Sequence, residues 1–301
     1  EAAAAVLESR SEPSDELINL LSRLVDKSLV VAQPAGHEMR YRLLETIRQY
    51  AGERLHESSE AESTHRQHLV YYLARAEQAT PQLRLADHMT WLARLDAEHD
   101  NLRAALSFAL ERAEQAEDLA QRALRLVSAL AAYWYIRGHF REGLAWTEQA
   151  LALPCAQEHT ALRAQALCAA GSLAWVQEGG IVPGQRYARE SVALWRELDA
   201  GNECGLANAL RLSAAQRWSN WYSSEARGLA EESLALFRAS GDELGQADAL
   251  WVVAVTWSEE DDALARKLLE ECLAIYERYG DVMAASHARI QLGKIYCRQD
   301  D

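Results

Sequence analysis

An alanine recurs at positions 123, 166, 209, 249 and 288, in steps of 43, 43, 40 and 39 residues. Five residues after each comes a second small residue: Ser128, Gly171, Ala214, Ala254 and Gly293. An acidic residue keeps the same rhythm at Glu148, Glu190, Glu232 and Glu271. Behind each glutamate runs a matched set, Ala150/Ala152/Leu153, Val192/Leu194/Trp195, Leu234/Leu236/Phe237 and Leu273/Ile275/Tyr276. Independent matches in two helical patterns per period define a helix-turn-helix repeat. One such unit cannot bury both its apolar faces alone, so neighbours must stack. The small residue in the first helix lets its partner approach, and the large residues on the second fill the next unit's groove. The expected fold is therefore all-α, an α-solenoid of antiparallel helix pairs. Truncating a stacking residue such as Leu236 is expected to cost about 2–5 kcal/mol.

Composition agrees. With 15 Gly and 5 Pro in 301 residues, breakers are scarce, and Ala, Leu, Glu and Arg favour helices. No apolar run approaches the roughly 18–20 residues of a membrane span. A net charge of −14 argues against nucleic-acid binding by this fragment, which would need a basic stripe. Cys155, Cys168, Cys204, Cys272 and Cys297 are odd in number and show no C-x-x-C spacing. Reduced thiols in a cytoplasmic protein, without a metal or other cofactor, are expected. The chain starts at Glu1 and stops at Asp301 after an apolar helix, which reads as a piece of a longer protein.

Residues 1–57 differ from the rest. Leu17, Leu20, Leu21, Leu24 and Val25 have helical spacing. Ser28–Val31 reads as a strand, Pro34-Ala35-Gly36 as a turn, and Met39, Tyr41 and Leu43 alternate with arginines as a second strand. Leu44, Ile47, Tyr50, Ala51 and Leu55 resume a helix. Helix, hairpin, helix is the order of a small winged-helix domain whose opening helix is missing. Seven Lys/Arg against eleven Asp/Glu in residues 1–60 argue against DNA contact there. Two helices, about 62–80 and 86–113, link this partial winged helix to the repeats. The expected domains are thus 1–57, a linking pair at 58–115, and repeats at 116–301.

The paired helices resemble the tetratricopeptide repeat, with a period longer than its usual 34 residues. Three stretches carry a more specific resemblance: Leu21–Val30 (LSRLVDKSLV), Tyr41–Ala51 (YRLLETIRQYA) and Trp91–Ala105 (WLARLDAEHDNLRAA). They resemble the C-terminal half of bacterial STAND-type, NB-ARC-like regulatory ATPases, often joined to LuxR-type or SARP-type DNA-binding domains. The resemblance covers nearly the whole chain. It implies that a nucleotide-binding domain precedes the winged helix, which packs on that ATPase and helps hold it off, and that the repeats act as its sensor. No G-x-x-x-x-G-K-[ST] phosphate loop occurs in this chain, so ATP hydrolysis is not expected of it.

Nor does any G-x-S-x-G or H-E-x-x-H motif suggest an enzyme. His65 and His68, and the Glu98-His99-Asp100 run, read as helix-surface and packing residues. Binding is the better-supported function. If the units superpose on tetratricopeptide repeats, one stripe of each first helix lines a concave face. It would carry Arg122 and Arg125; Gln165, Cys168, Ser172 and Trp175; Asn208, Arg211, Ala215 and Trp218; Asp248, Trp251 and Ser258; and His287, Lys294 and Arg298. Spacings of three and four keep each set on one helix face. Leu124, Leu167, Leu210 and Leu250 fall on the core side. The tryptophans either anchor a ligand or fill gaps left by the long repeat. Arg217, on the core side, marks either a drift in register or a buried acid pair. The expected partner is a peptide, protein segment or small-molecule effector that relieves autoinhibition of the parent's own ATPase domain; the rival is a passive scaffold with no activating ligand.

Overall fold

The computed structural model describes residues 2–7, 14–35, 38–114, 116–158, 160–198, 201–218, 223–258 and 260–299. The chain forms two compact units, residues 1–74 and 75–301.

The first unit holds α1 (Ala2–Leu7), α2 (Ser14–Asp26), β1 (Val30–Ala35), β2 (Glu38–Leu43), α3 (Glu45–His56) and the start of α4 (Ala61–Gln82). The helix, hairpin, helix order is as expected. Ser28 ends α2 in the left-handed conformation (φ 58°), so the strand begins only at Val30. Pro34 and Ala35, expected in the turn, instead pair with Met39 and Glu38. A two-stranded hairpin has open outer edges, where a proline forfeits no ladder bond. Gly36 and His37 lie outside the described residues.

The second unit is a tetratricopeptide-type helical solenoid. It contains the end of α4, α5 (His88–Ala97) and α6 (His99–Arg112). Four pairs follow: α7 (Glu117–Arg137) with α8 (Phe140–Ala152), α9 (Ala161–Trp175) with α10 (Ile181–Glu197), α11 (Glu203–Trp218) with α12 (Ser223–Ser240), and α13 (Glu243–Trp257) with α14 (Asp262–Tyr279). Helix α15 (Val282–Gln299) closes the order. The single helix expected over 86–113 breaks at Glu98, whose backbone leaves the helical region (φ −105°, ψ 9°). Its carboxylate accepts a hydrogen bond from Asn101, and the next side chain, His99, lies 3.2 Å from the Tyr133 hydroxyl.

Ala123, Ala166, Ala209, Ala249 and Ala288 are wholly buried, and so are Leu124, Leu167, Leu210 and Leu250. Successive first helices α7, α9, α11 and α13 touch one another directly. Second helices pack mainly on the first helices before and after them. The first helices therefore line the inner side of the stack. On the outer side, Arg196 bonds Glu232 and Arg238 lies 3.8 Å from Glu271, linking consecutive second helices through the repeating glutamate. The hydroxyls of Ser191 and Ser233, both fully buried, donate to the carbonyls of Ala164 and Ala207, tying each second helix to its partner.

Two of the junctions between units seat an aromatic ring on a glycine. A Cβ on Gly205 would fall 2.4 Å from Trp195, and one on Gly245 would fall 2.3 Å from Phe237. Within a pair, Gly143 meets Trp134 in the same way, while Gly171 and Gly184 bring α9 and α10 into backbone contact. Gly245→Val should therefore destabilise the unit by about 1–3 kcal/mol through overpacking. Gly228 lies exposed inside α12 with no neighbouring atom in reach, so Gly228→Ala should instead stabilise by about 0.5–1 kcal/mol. Urea unfolding followed by circular dichroism distinguishes the two; equal effects would refute the ring-on-glycine account.

Candidate functional site

On α9, α11 and α13 almost every side chain is buried except along one stripe. Gln165, Cys168, Ser172 and Trp175 form it on α9, Asn208, Arg211 and Ala215 on α11, and Asp248 and Trp251 on α13, with Ser258 just past its end. This is the stripe expected from the spacing, and it lies on the side where the first helices meet. The side chains of Arg217 and Trp218 lie outside the described residues.

Several stripe residues are engaged locally. Arg122 pairs with Asp118 one turn earlier, and Arg125 forms a two-pronged bond with Glu77 of α4. Asn208 donates to the Cys204 carbonyl and the Ser172 hydroxyl to that of Cys168. Trp175 closes against Gly184 at the start of α10. Ser258 donates to the Val255 carbonyl, and its own carbonyl accepts from Arg298. His287 and Lys294 are exposed on α15. Trp251 packs partly into the core formed by α11 to α15, so it fills space as well as lining the stripe.

The stripe residues that converge are Arg211 and Asp248, whose charged groups lie 3.8 Å apart. They converge around a side chain from elsewhere. Arg84, in the short turn between α4 and α5, donates from Nη1 and Nη2 to the two oxygens of Asp248 at 2.9 and 2.8 Å. Its Nε donates to Asp281 at 2.9 Å. The Tyr276 hydroxyl donates to Asp248 Oδ1 at 3.0 Å. Asp281 Oδ1 meanwhile caps α15 by accepting from the Ala284 N–H. Gly280, left-handed at φ 75°, sits so close to Ala86 that an added Cβ would clash at 2.9 Å.

The electrostatics follow from this geometry. Burial lowers the Arg84 pKa, but Asp248 and Asp281 outweigh it and raise it above the ordinary arginine value. Burial, then the Asp248 charge, pushes the Tyr276 hydroxyl far up, so it stays a neutral donor. Burial raises the Cys168 thiol, with Arg211 pulling it back, and pushes Cys272 up to about 12. Neither thiol is poised as a nucleophile.

A second polar cluster joins α5 and α6 to the first pair. Tyr133 and Arg137 donate to Asp96, and Glu142 lies 3.3 Å from His99 and 3.0 Å from Arg103. Within the Glu98-His99-Asp100 run, His99 thus serves inter-helix packing. A cavity of about 590 Å³ beside it is lined by Gly138–Glu142 and Val176–Glu178. Among the described residues no group of three His, Cys, Asp or Glu side chains could hold a metal ion, and no helix is long and apolar enough to cross a membrane.

Of the residues in this cluster, sequence spacing names Asp248 and Arg211 and does not name Arg84, Tyr276 and Asp281. A signal for Asp281 was present: Gly241-Asp242 and Gly280-Asp281 repeat at a step of 39. In each, a left-handed glycine ends one helix and the aspartate caps the next. Arg84 has no counterpart in the repeats and looked like a connector residue.

No protein-family model matches the chain. Three curated proteins described as HTH-type transcriptional regulators are 37% identical to it over 215 residues, covering 70% of this chain and 23% of theirs. They are Rv0890c and MT0914 of Mycobacterium tuberculosis (strains H37Rv and CDC 1551) and Mb0914c of Mycobacterium bovis. The chain spans about a quarter of the length of these curated relatives. In fold it is similar to the crystal structure of BtubC (BKLC) from P. vanneervenii, with a TM-score of 0.53 and 19% identity over 69% of this chain and 85% of that one. The STAND protein with a tetratricopeptide repeat sensor, PH0952 from Pyrococcus horikoshii, aligns over 99% of this chain and 45% of that one, with a TM-score of 0.49 and 14% identity.

Proposed function

We propose that this chain is the sensor region of a STAND-type transcriptional regulator, and that the inner stripe of its helix pairs binds a peptide, protein segment or small-molecule effector. One observation carries the reading: through the middle of α9, α11 and α13 almost every side chain is buried except along one stripe, and that stripe bears charged, amide and indole groups. A stack that only held itself together would have no need of a polar inner stripe, whereas binding faces combine apolar walls with a few convergent polar groups. The similarity to HTH-type transcriptional regulators over 70% of the chain supports a regulatory setting. Nucleotide hydrolysis, DNA reading and the ATPase domain on which the winged-helix region packs belong to other parts of the regulator. Effector binding shifts such a protein only in proportion to its preference for one state.

Native mass spectrometry of the chain purified from its own cells tests this. The wild type should retain a bound small molecule or peptide, and the Arg211→Ala/Trp251→Ala variant should lose it with its circular dichroism unchanged. Equal retention by the variant, or no retained species in the wild type, overturns the assignment and leaves a scaffold that only joins proteins.

A further inference from the structure

The inner stripe has an occupant in this structure, and it comes from the same chain. Arg84 lies 164 residues from Asp248 and 197 from Asp281 in sequence, yet three of its N–H groups end on their carboxylates. We propose that the Asp248–Tyr276–Asp281 pocket is a receptor for an arginine side chain on a protein segment, and that Arg84 is the internal occupant such a segment displaces. The inference deepens the binding-face reading and rests on it.

Four features point to this chemistry. First, the pocket matches a guanidinium and not an ammonium. Two parallel N–H groups meet both oxygens of Asp248 while the third is held side-on by Asp281, a fork no lysine reproduces. Second, the pocket is held in shape without Arg84. Tyr276, itself buried, orients Asp248, and capping of α15 orients Asp281, which is 6% exposed. Sites on packed helices keep their geometry when a ligand exchanges.

Third, the occupant sits on a short turn whose backbone bonds are local: Leu85 N–H to the Gln82 carbonyl and His88 N–H to the Leu85 carbonyl. Without Arg84 the two carboxylates would have Arg211 alone as a nearby cation, 3.8 Å from Asp248, so one guanidinium replaces another rather than leaving the pocket open. Fourth, the Nε–H of Arg211 and the indole N–H of Trp251 are buried and make no hydrogen bond among the described residues. Both lie on the stripe beside Asp248, and the Arg84 turn supplies neither with an acceptor. A bound peptide supplies carbonyls for them along with its arginine, which a free small cation does not.

The probe is a fluorescein-labelled peptide of the chain's own sequence, residues 79–88 (ATPQLRLADH), followed by anisotropy. The R84Q chain, freed of its internal competitor, should bind it at least about tenfold more tightly than the wild type does. A peptide with lysine in place of the arginine should bind R84Q markedly less well. In the wild type, saturating peptide should speed hydrogen exchange of residues 83–88. Should R84Q fail to fold, R84K, which keeps the charge without the fork, should still exceed the wild type in affinity. The proposal is overturned if folded R84Q or R84K binds no better than wild type, or if the arginine and lysine peptides bind alike. An effector retained in native mass spectrometry together with absent peptide binding overturns the arginine pocket alone; failure of both experiments overturns the binding face itself.

Discussion

Asp248→Ala is expected to lower the stability of the 75–301 unit by about 3 kcal/mol, the low end for a broken buried pair. The carboxylate receives two bonds from Arg84 and one from Tyr276, with Arg211 beside it. Removing it leaves a guanidinium and a buried hydroxyl without their acceptor, and an unmade bond costs more than a made one contributes. The loss stays near the lower bound because the Arg84 side chain remains 33% exposed and water partly replaces the acceptor. Arg125→Ala provides the contrast. Its two-pronged bond to Glu77 looks equally good on paper, but the side chains are 43% and 38% exposed, so the cost should fall below about 1 kcal/mol. Urea unfolding monitored at 222 nm reads both. Equal losses would mean that burial is not what makes the Asp248 cluster strong.

Phe237→Ala is expected to cost more, about 3–5 kcal/mol. The ring is completely buried, pressed against Gly245 where α12 meets α13, within the core shared by α11 to α15. The neighbours are helices fixed by their own packing, so the void cannot collapse. The repeat alignment had placed Leu236 in the same stacking set, but that side chain is only partly buried. Its truncation should cost no more than about 1–2 kcal/mol, in proportion to the apolar area it covers. Because each unit leans mainly on its neighbours, the Arg84 bridge aside, the Phe237 lesion should also lower hydrogen-exchange protection in α13 to α15 well before α7 and α8. A uniform loss of protection, or a Leu236 effect as large as that of Phe237, would contradict this account of the junction.

How much of this was readable in advance depended on whether the signal was periodic. The buried alanines at 123, 166, 209, 249 and 288 repeat because every unit needs the same close approach, and repetition separates such residues from chance. The stripe of Asn208, Arg211, Asp248 and Trp251 followed from the same register. The break at Glu98 did not: the side-chain partners around it, Asn101 for Glu98 and the Tyr133 hydroxyl for His99, include one on a separate helix that no local spacing encodes. Arg84 was invisible for a related reason. Its role depends on the turn after α4 meeting a unit nearly two hundred residues later, and no local spacing encodes that meeting. Ser191 and Ser233 are intermediate: they follow the repeating glutamates, yet only coordinates show that their hydroxyls reach the carbonyls of Ala164 and Ala207.

The rings seated on Gly205 and Gly245 fix the tilt between one helix pair and the next, so an error there does not stay local. A bulkier side chain at either position swings everything downstream as a lever, and the displacement grows with distance from the pivot. Asp281 lies beyond both pivots, and Arg84 must still reach it with bonds whose useful range is a few tenths of an ångström. The ion pair is therefore sensitive to the pitch of the pairs between: a small wedge at Gly205, touching none of the charged groups, is expected to draw the far end out of the arginine's grasp.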